Sequence, residues 1–303
     1  MGVVLEFEAE GGRKKVPNEK REDIQEILNY RKAMRHAEKL LETLPLCQRV
    51  IKQTHAVLMD GVRGHGKAPG EYRRIPNWIG PHGCSIDEAR FVPISAGELN
   101  EGMGQWDNYI NGDAPDRLIQ LAVLHAELEA LHPFLDGNGR LGRMCIPLFM
   151  HQAGLIHRPM FYISAYFEAN REEYYDRLLA VSRDGDWSGW CVFFLEAVQQ
   201  QAESNLTKAK AVLDLYNRMK LKIAEISHSQ FAIHALDWIF EQPIFNSTDF
   251  MRASGIPKPT AARILRVLKD EKILQVWQEA RGSKPAVYGY ADLLNVAEGH
   301  KVF

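Results

Sequence analysis

Residues 132–143 read His-Pro-Phe-Leu-Asp-Gly-Asn-Gly-Arg-Leu-Gly-Arg, and the first half of that stretch suits neither a helix interior nor a strand. Upstream, Pro115 with Asp113 and Asp116 opens a run in which Leu118, Leu121, Ala122, His125 and Leu128 recur at helical spacing, which predicts an amphipathic helix delivering the chain to His132. Pro133 disfavours the α conformation at His132 and ends that helix there. Downstream, the apolar pattern from Leu141 through Ile146, Leu148 and Phe149 to Met150 predicts a second, buried helix. The chain must therefore turn sharply between two helices, with its titratable and cationic groups held at the turn.

Those groups form a chemical set. Gly137 and Gly139 permit the positive φ angles that aim successive backbone N–H groups at one point, and Asn138 tolerates such geometry. The unpaired N–H groups and dipole of the following helix favour phosphate. Arg140 and Arg143, at i and i+3, share a helix face and suit forked contacts to phosphate oxygens. Asp136 is a hard oxygen ligand of the kind Mg²⁺ takes when shared with substrate phosphates. His132, with an ordinary pKa of about 6.5, suits removal of a proton from a hydroxyl. Together they read as attack by a hydroxyl on a magnesium-bound phosphate. A bare Asp-Gly-Asn-Gly would be an ordinary surface turn. The histidine, phenylalanine and two arginines in register with it argue for a site.

The segment resembles the Fic family signature His-x-Phe-x-(Asp/Glu)-Gly-Asn-Gly-Arg-x-x-Arg at every defining position. The resemblance implies an adenylyltransferase that moves AMP from ATP to a protein hydroxyl. It also implies roles: His132 as base, Phe134 as apolar anchor of the loop, Asp136 as magnesium ligand, and Gly137, Asn138 and Gly139 as the anion cradle. Arg140 would contact the diphosphate and Arg143 the terminal phosphate. Doc-like kinases of a related branch depart from this glycine pattern and transfer a phosphate instead, so the intact pattern favours nucleotidyl transfer. Gly70-Glu-Tyr-Arg73, Trp78-Ile-Gly80 and Ala89-Arg-Phe-Val-Pro93 resemble the family's flap, a β-hairpin whose edge docks an extended segment of the target protein. Pro93-Ile94 stands where bacterial relatives often have two prolines. Ile163-Ser-Ala-Tyr-Phe167, Asn170-Arg-Glu-Glu-Tyr-Tyr175 and Gly185-Asp-Trp187 follow the same pattern, and it implies that Tyr174 and Tyr175 flank the adenine. Adjacent tyrosines on a helix are equally compatible with core packing. Glu129, one turn before His132, fits a structural hydrogen bond better than catalysis, and His125, on the apolar helix face, fits an interior histidine.

Composition narrows the rest. At 303 residues the chain is long enough for two domains or more, and 46% hydrophobic with 25% charged residues excludes general disorder. A net charge of -2 gives no global case for nucleic acid or membrane binding. Its apolar runs are too short to span a bilayer, and no signal peptide opens it. Cys47, Cys84, Cys145 and Cys191 show neither disulfide nor zinc spacing, which suits reduced thiols and a cytoplasmic location.

The expected fold is mainly α, a Fic helical core with a β-hairpin flap, plus a C-terminal winged helix-turn-helix domain. Residues 1–60 form an N-terminal helical region broken near Pro45, 61–222 the catalytic core with its flap, and 223–303 the winged-helix-like domain. In the last, Phe231 to Ile239 suggests a helix, Phe245-Asn-Ser-Thr-Asp249 a capped helix start, and Thr260 to Lys272 a second helix. Strands follow at 273–277 and 286–290. Lys258, Arg263, Arg266, Lys269 and Lys272 give the second helix a basic bias that Asp270 and Glu271 dilute, so contact with protein fits better than contact with DNA.

Many relatives of this layout carry an inhibitory helix with (Ser/Thr)-x-x-x-Glu-(Gly/Asn). The nearest match, Ser164-Ala-Tyr-Phe-Glu168, is followed by Ala169. Residues 3–8 resemble the segment that ordinarily follows that helix, so an upstream piece is expected to be missing or supplied by a partner, leaving Arg143 unrestrained. The expected partners are ATP, Mg²⁺, a target protein on the flap and a second copy of the chain, with no membrane. Two alternatives stay open: a DNA-binding regulator acting through the C-terminal domain, and a Fic-fold enzyme that removes AMP or uses another phosphate-containing donor.

Overall fold

The computed structural model describes residues 18–61, 66–81, 83–282 and 284–301. Residues 3–8 lie outside this set. The chain is mainly helical and divides into two compact units, Asn18–Ala202 and a second from Glu203 onward.

In the first unit, α1 (Asn18–Leu41) and α2 (Gln48–Leu58) are the expected N-terminal helices, separated at Pro45. α3 spans Leu99–Ile110, α4 Arg117–Leu131, α5 Asn138–Gln152, α6 Ser164–Ala169 and α7 Arg171–Asp184. α4 begins where the sequence placed it, because the Asp116 carboxylate accepts from the Leu118 and Ile119 N–H groups at 2.8 and 3.1 Å. Leu121, Leu124, Leu128 and Leu131 of α4 and Leu141, Met144, Ile146 and Phe149 of α5 enter one core with Val50, Leu58 and Trp106. The opening of α8 (Trp187–Ser227) closes that core through Trp190 and Phe194, and the Trp190 indole N–H donates to the Ala122 carbonyl at 2.8 Å.

Between α2 and α3 the flap shows one antiparallel rung among the described residues, Ile79 with Phe91, around a short 3₁₀ turn at Ile86–Glu88. A regular hairpin ladder does not develop because Pro76, Pro81 and Pro93 remove donors along both sides.

The second unit contains residues 203–227 of α8, α9 (Ala232–Glu241), β1 (Ile244–Asn246), α10 (Ser247–Ala253), α11 (Lys258–Asp270), β2 (Gln275–Gln278), β3 (Val287–Gly289) and α12 (Ala291–Glu298). The three strands form an antiparallel sheet in the order β1-β3-β2, with Ile244 and Gln275 both paired to Gly289. Asn246 caps α10 by accepting from the Asp249 N–H at 2.8 Å, as its sequence position suggested. α11 begins two residues before the expected Thr260, directly after Pro257, and Lys272 lies beyond its end in a left-handed turn. β1 and α12 had no sequence expectation. Leu236, Phe245, Phe250, Ile264, Leu268 and Tyr290 make up the core of this unit. No helix among the described residues is long and apolar enough to cross a membrane.

Candidate active site

His132 is the C-cap of α4, in left-handed conformation at φ 45° and ψ 60°. Its ring Nδ1 lies 3.3 Å from the Glu129 carbonyl. A carbonyl only accepts, so this contact puts the proton on Nδ1 and leaves the Nε2 lone pair available. Burial, reinforced by the Arg73 guanidinium, lowers the His132 pKa to about 4, against the opposing pull of the Glu129 carbonyl and Asp136. The imidazole is therefore neutral at pH 7, with Nε2 unprotonated.

The loop that follows is closed on itself. The Asn138 side chain accepts from the Phe134 N–H at 2.8 Å and donates to the Phe134 carbonyl at 2.7 Å. Phe134 is fully buried and stacks on His55 of α2. Gly137 turns the chain into α5 at φ 79°, and a Cβ there would meet the Met59 sulfur at 2.8 Å and the His55 ring at 3.2 Å. The expectation of positive φ at Gly139 is corrected: Gly139 is already helical, because α5 starts at Asn138. The first intrahelical bond of α5 runs from the Leu141 N–H to the Gly137 carbonyl, so the N–H groups of 138–140 belong to the open end of the helix.

Arg140 is half-buried, 3.3 Å from Glu26 of α1 and 3.7 Å from Asp136. Arg143, one turn on, crosses Gly139 closely, at 3.2 Å from where a Cβ would stand. One Asp136 oxygen accepts from the Gly137 N–H at 2.6 Å and the other lies 3.3 Å from the Lys67 ammonium. Among the described residues no group of three or more His, Cys, Asp or Glu is gathered for a metal. A single carboxylate beside two cations fits Mg²⁺ that arrives already bound to phosphates, and does not fit a resident protein-caged ion.

The paired tyrosines separate. Tyr174 is 5% exposed and its hydroxyl lies 2.9 Å from His125 Nε2, inside a cluster with Phe167 and Trp190. Tyr175 instead lines a mostly apolar cavity of about 150 Å³ with Ile79, Arg90 and Phe91 of the flap and Leu178 and Trp187. Arg90 passes 5.2 Å from the Tyr175 ring and pairs with Asp176 at 2.6 Å. His125 is the interior histidine expected of it, with burial lowering its pKa to about 3. Glu129 lines the same cavity but makes no structural side-chain bond at Oε1, and burial raises its pKa to about 7 against the pull of Arg143.

Three residues of this site carried no signal of their own in the sequence. His55 Nε2 lies 2.9 Å from the Asp136 carbonyl, and its Nδ1 accepts from the Gly70 N–H at 2.8 Å. Arg73, read only as part of the flap, donates to the His132 carbonyl at 3.0 Å. Asn77 donates to the Phe134 carbonyl at 3.0 Å.

Residues 45–150, which span α2, the flap, α3, α4, the loop and α5, match the family described as Fic/DOC. Over those residues the chain carries a Fic/DOC family domain. Among curated relatives, the Protein adenylyltransferase Fic of Drosophila grimshawi is 26% identical over 182 residues, covering 58% of this chain and 33% of that protein. The protein of the same name from Culex quinquefasciatus is 28% identical over 134 residues, covering 43% of this chain and 24% of its own. The chain thus spans a third or less of the length of those relatives. A Fic family protein from Desulfovibrio desulfuricans G20 superposes with a TM-score of 0.58 at 17% identity, covering 95% of this chain and 85% of that one. Fic-1 (aa134 - 508) from C. elegans gives 0.50 at 20% identity, covering 68% and 58%. At those identities the likeness is one of fold.

Proposed function

We propose that this protein transfers AMP from ATP to a hydroxyl side chain, Tyr, Ser or Thr, of a target protein. The observation that carries the proposal is the His132 imidazole, with Nδ1 committed to the Glu129 carbonyl, placed directly before the open N-terminus of α5 and its two arginines.

His132 Nε2 takes the proton as the target oxygen bonds to the α-phosphorus. The bond from that phosphorus to the α,β-bridging oxygen breaks, and diphosphate leaves with its electron pair. The N–H groups of 138–140 with Arg140 and Arg143 hold the phosphates and meet the charge that grows on the leaving oxygens. Asp136 would hold Mg²⁺, which, when bound, screens the phosphate charge from the incoming oxygen. Tyr175 and the cavity against the flap take the adenine. Tyr174, turned into the core, supports Tyr175 from behind rather than touching the base.

Target docking at the flap, a homodimer and a cytoplasmic location belong to the same reading. We read the second unit as a winged helix from its order of helices and strands. Arg263 of α11 donates to the Ser227 carbonyl at 2.7 Å, which takes one cation from the basic set and favours protein contact over DNA.

The test uses ATP labelled on the α-phosphate and, separately, on the γ-phosphate, with mass spectrometry of lysate proteins. Label transfer from the α position alone, abolished in His132→Ala with ATP binding kept, is the expected result. Transfer from the γ position, or undiminished transfer by His132→Ala, would sink the proposal.

A further inference from the structure

Arg73 is the one lysine or arginine in the buried class among the described residues, at 3% exposure. None of their carboxylates pairs with it, and burial lowers its pKa. A buried guanidinium needs its donors satisfied. Here carbonyl oxygens alone satisfy them.

Those carbonyls come from three places. Nε donates to the His132 carbonyl at 3.0 Å and Nη2 to the Leu131 carbonyl at 3.3 Å, both at the negative end of α4. Nη2 also donates to the Ile94 carbonyl at 2.6 Å, and Nη1 reaches the Ile75 carbonyl at 3.5 Å. The Arg73 backbone N–H donates to the Pro133 carbonyl at 2.9 Å. Ile75 precedes the first side of the flap and Ile94 follows the second. One planar head therefore joins both roots of the flap to the carbonyl of the base.

His132 holds a left-handed φ of 45°, which a non-glycine residue keeps only when its surroundings over-determine it. Arg73 bonds the carbonyls of Leu131, His132 and Pro133 across that turn. Asn77 adds a weaker donor to the His132 carbonyl at 3.5 Å.

We infer that Arg73 is a positioning residue: it keeps the turn at His132 left-handed and fixes that turn to both roots of the flap, so that base and target-docking edge are set as one piece. The kinetic part of this inference rests on His132 being the base of the transfer proposed above. Lysine at 73 would keep the charge but lose the planar fork that spans several carbonyls.

The full chain is compared with Arg73→Lys, Arg73→Met and Asn77→Ala, after thermal melting has shown each to be folded. Three quantities are read: the Kd for ATP by calorimetry, kcat for transfer, and the titration of the His132 imidazole by NMR on histidine-labelled protein, assigned with His132→Ala. The charged groups that bear on this imidazole are Arg73 and Asp136, with the Glu129 carbonyl bonded to its Nδ1. In both Arg73 variants kcat is expected to fall about 100-fold, the loss typical of a misplaced catalytic group, with the Kd for ATP changed less than about threefold. In Arg73→Met the His132 titration is expected to move to higher pH.

Wild-type kcat in a folded Arg73→Met protein, a parallel loss of ATP binding and kcat, or an unmoved His132 titration would each overturn the inference. Should the Arg73 variants fail to fold, Asn77→Ala decides. An approximately tenfold fall in kcat at constant ATP affinity is expected there, and no fall counts against the inference. If the wild-type chain transfers nothing, the proposed function fails while the imidazole titration still judges Arg73.

Discussion

The His55 imidazole lies flat on the Phe134 ring, with centroids 3.8 Å apart and planes 11° from parallel. Its Nε2 donates to the Asp136 carbonyl and its Nδ1 accepts from the Gly70 N–H, so one side chain of α2 meets the loop and the chain entering the flap. His55→Ala removes the stack and both bonds and should lower unfolding free energy by about 2–4 kcal/mol. It should also weaken ATP binding, because Asp136 loses its backbone anchor. Urea denaturation and calorimetry check this. Lost stability with unchanged ATP affinity would remove His55 from any part in shaping the loop.

The parts of this site that were legible in the sequence are local. Asp116, Pro133 and Gly137 act on their own neighbourhoods, so the helix, turn and helix around 132–143 could be read directly, whereas Gly139 falls inside the second helix. His55, Arg73 and Asn77 could not, because their partners lie 81, 59 and 57 residues away in the chain. Tyr174 and Tyr175 project about 100° apart on one helix, and only the packing of α4 and α8 decides which faces the core. β1 is three residues long and gains its register from a strand some forty residues later, which leaves no alternation to detect.

Gly142 and Glu129 are fitted to each other. A Cβ at 142 would stand 2.3 Å from Glu129 Oε1. Gly142→Ala should therefore cost about 1–3 kcal/mol despite the better helix propensity of alanine. Adding Glu129→Ala, which vacates that space, should return much of the loss. A double-mutant cycle by denaturation measures it, and strict additivity would mean that the two residues are not coupled.

Stability should fall on acidification from about pH 6.5 to 4.5. Burial holds His55 and His132 at about 4 and His125 at about 3, so the unfolded chain takes up three protons there that the folded chain declines. Glu129, held at about 7 by burial, works against this, since the folded chain retains a proton that the unfolded chain loses above about pH 4.5. The balance approaches two protons, an upper bound of roughly 2.7 kcal/mol per pH unit. Glu129→Gln removes the opposing group and should steepen the dependence. A flat profile across this window would show that the imidazoles titrate alike in both states.

Tyr175 and Tyr174 should separate in their effects. Tyr175→Ala opens the cavity wall against the flap and should weaken ATP binding about tenfold while leaving affinity for triphosphate itself unchanged. Tyr174→Phe removes only the bond to His125 and should cost about 1 kcal/mol of stability with ATP affinity kept. Calorimetry with ATP and with inorganic triphosphate distinguishes them. Loss of ATP binding in Tyr174→Phe alone would place the base on the other side of the helix.

Asp136→Ala tests the metal and the turn separately. One carboxylate oxygen accepts from the Gly137 N–H, which sets the turn, and the other lies beside Lys67 at the mouth of the loop. Asp136→Asn keeps an acceptor for Gly137 but loses the charge that a hard cation requires. Both variants should bind ATP with the same affinity in Mg²⁺ and in EDTA, whereas the wild-type chain should bind more tightly in Mg²⁺. Only Asp136→Ala should also lose stability, by about 1 kcal/mol, for the N–H left without its partner. Magnesium dependence surviving in both variants would transfer the ligand role to another oxygen and leave Asp136 as a turn residue.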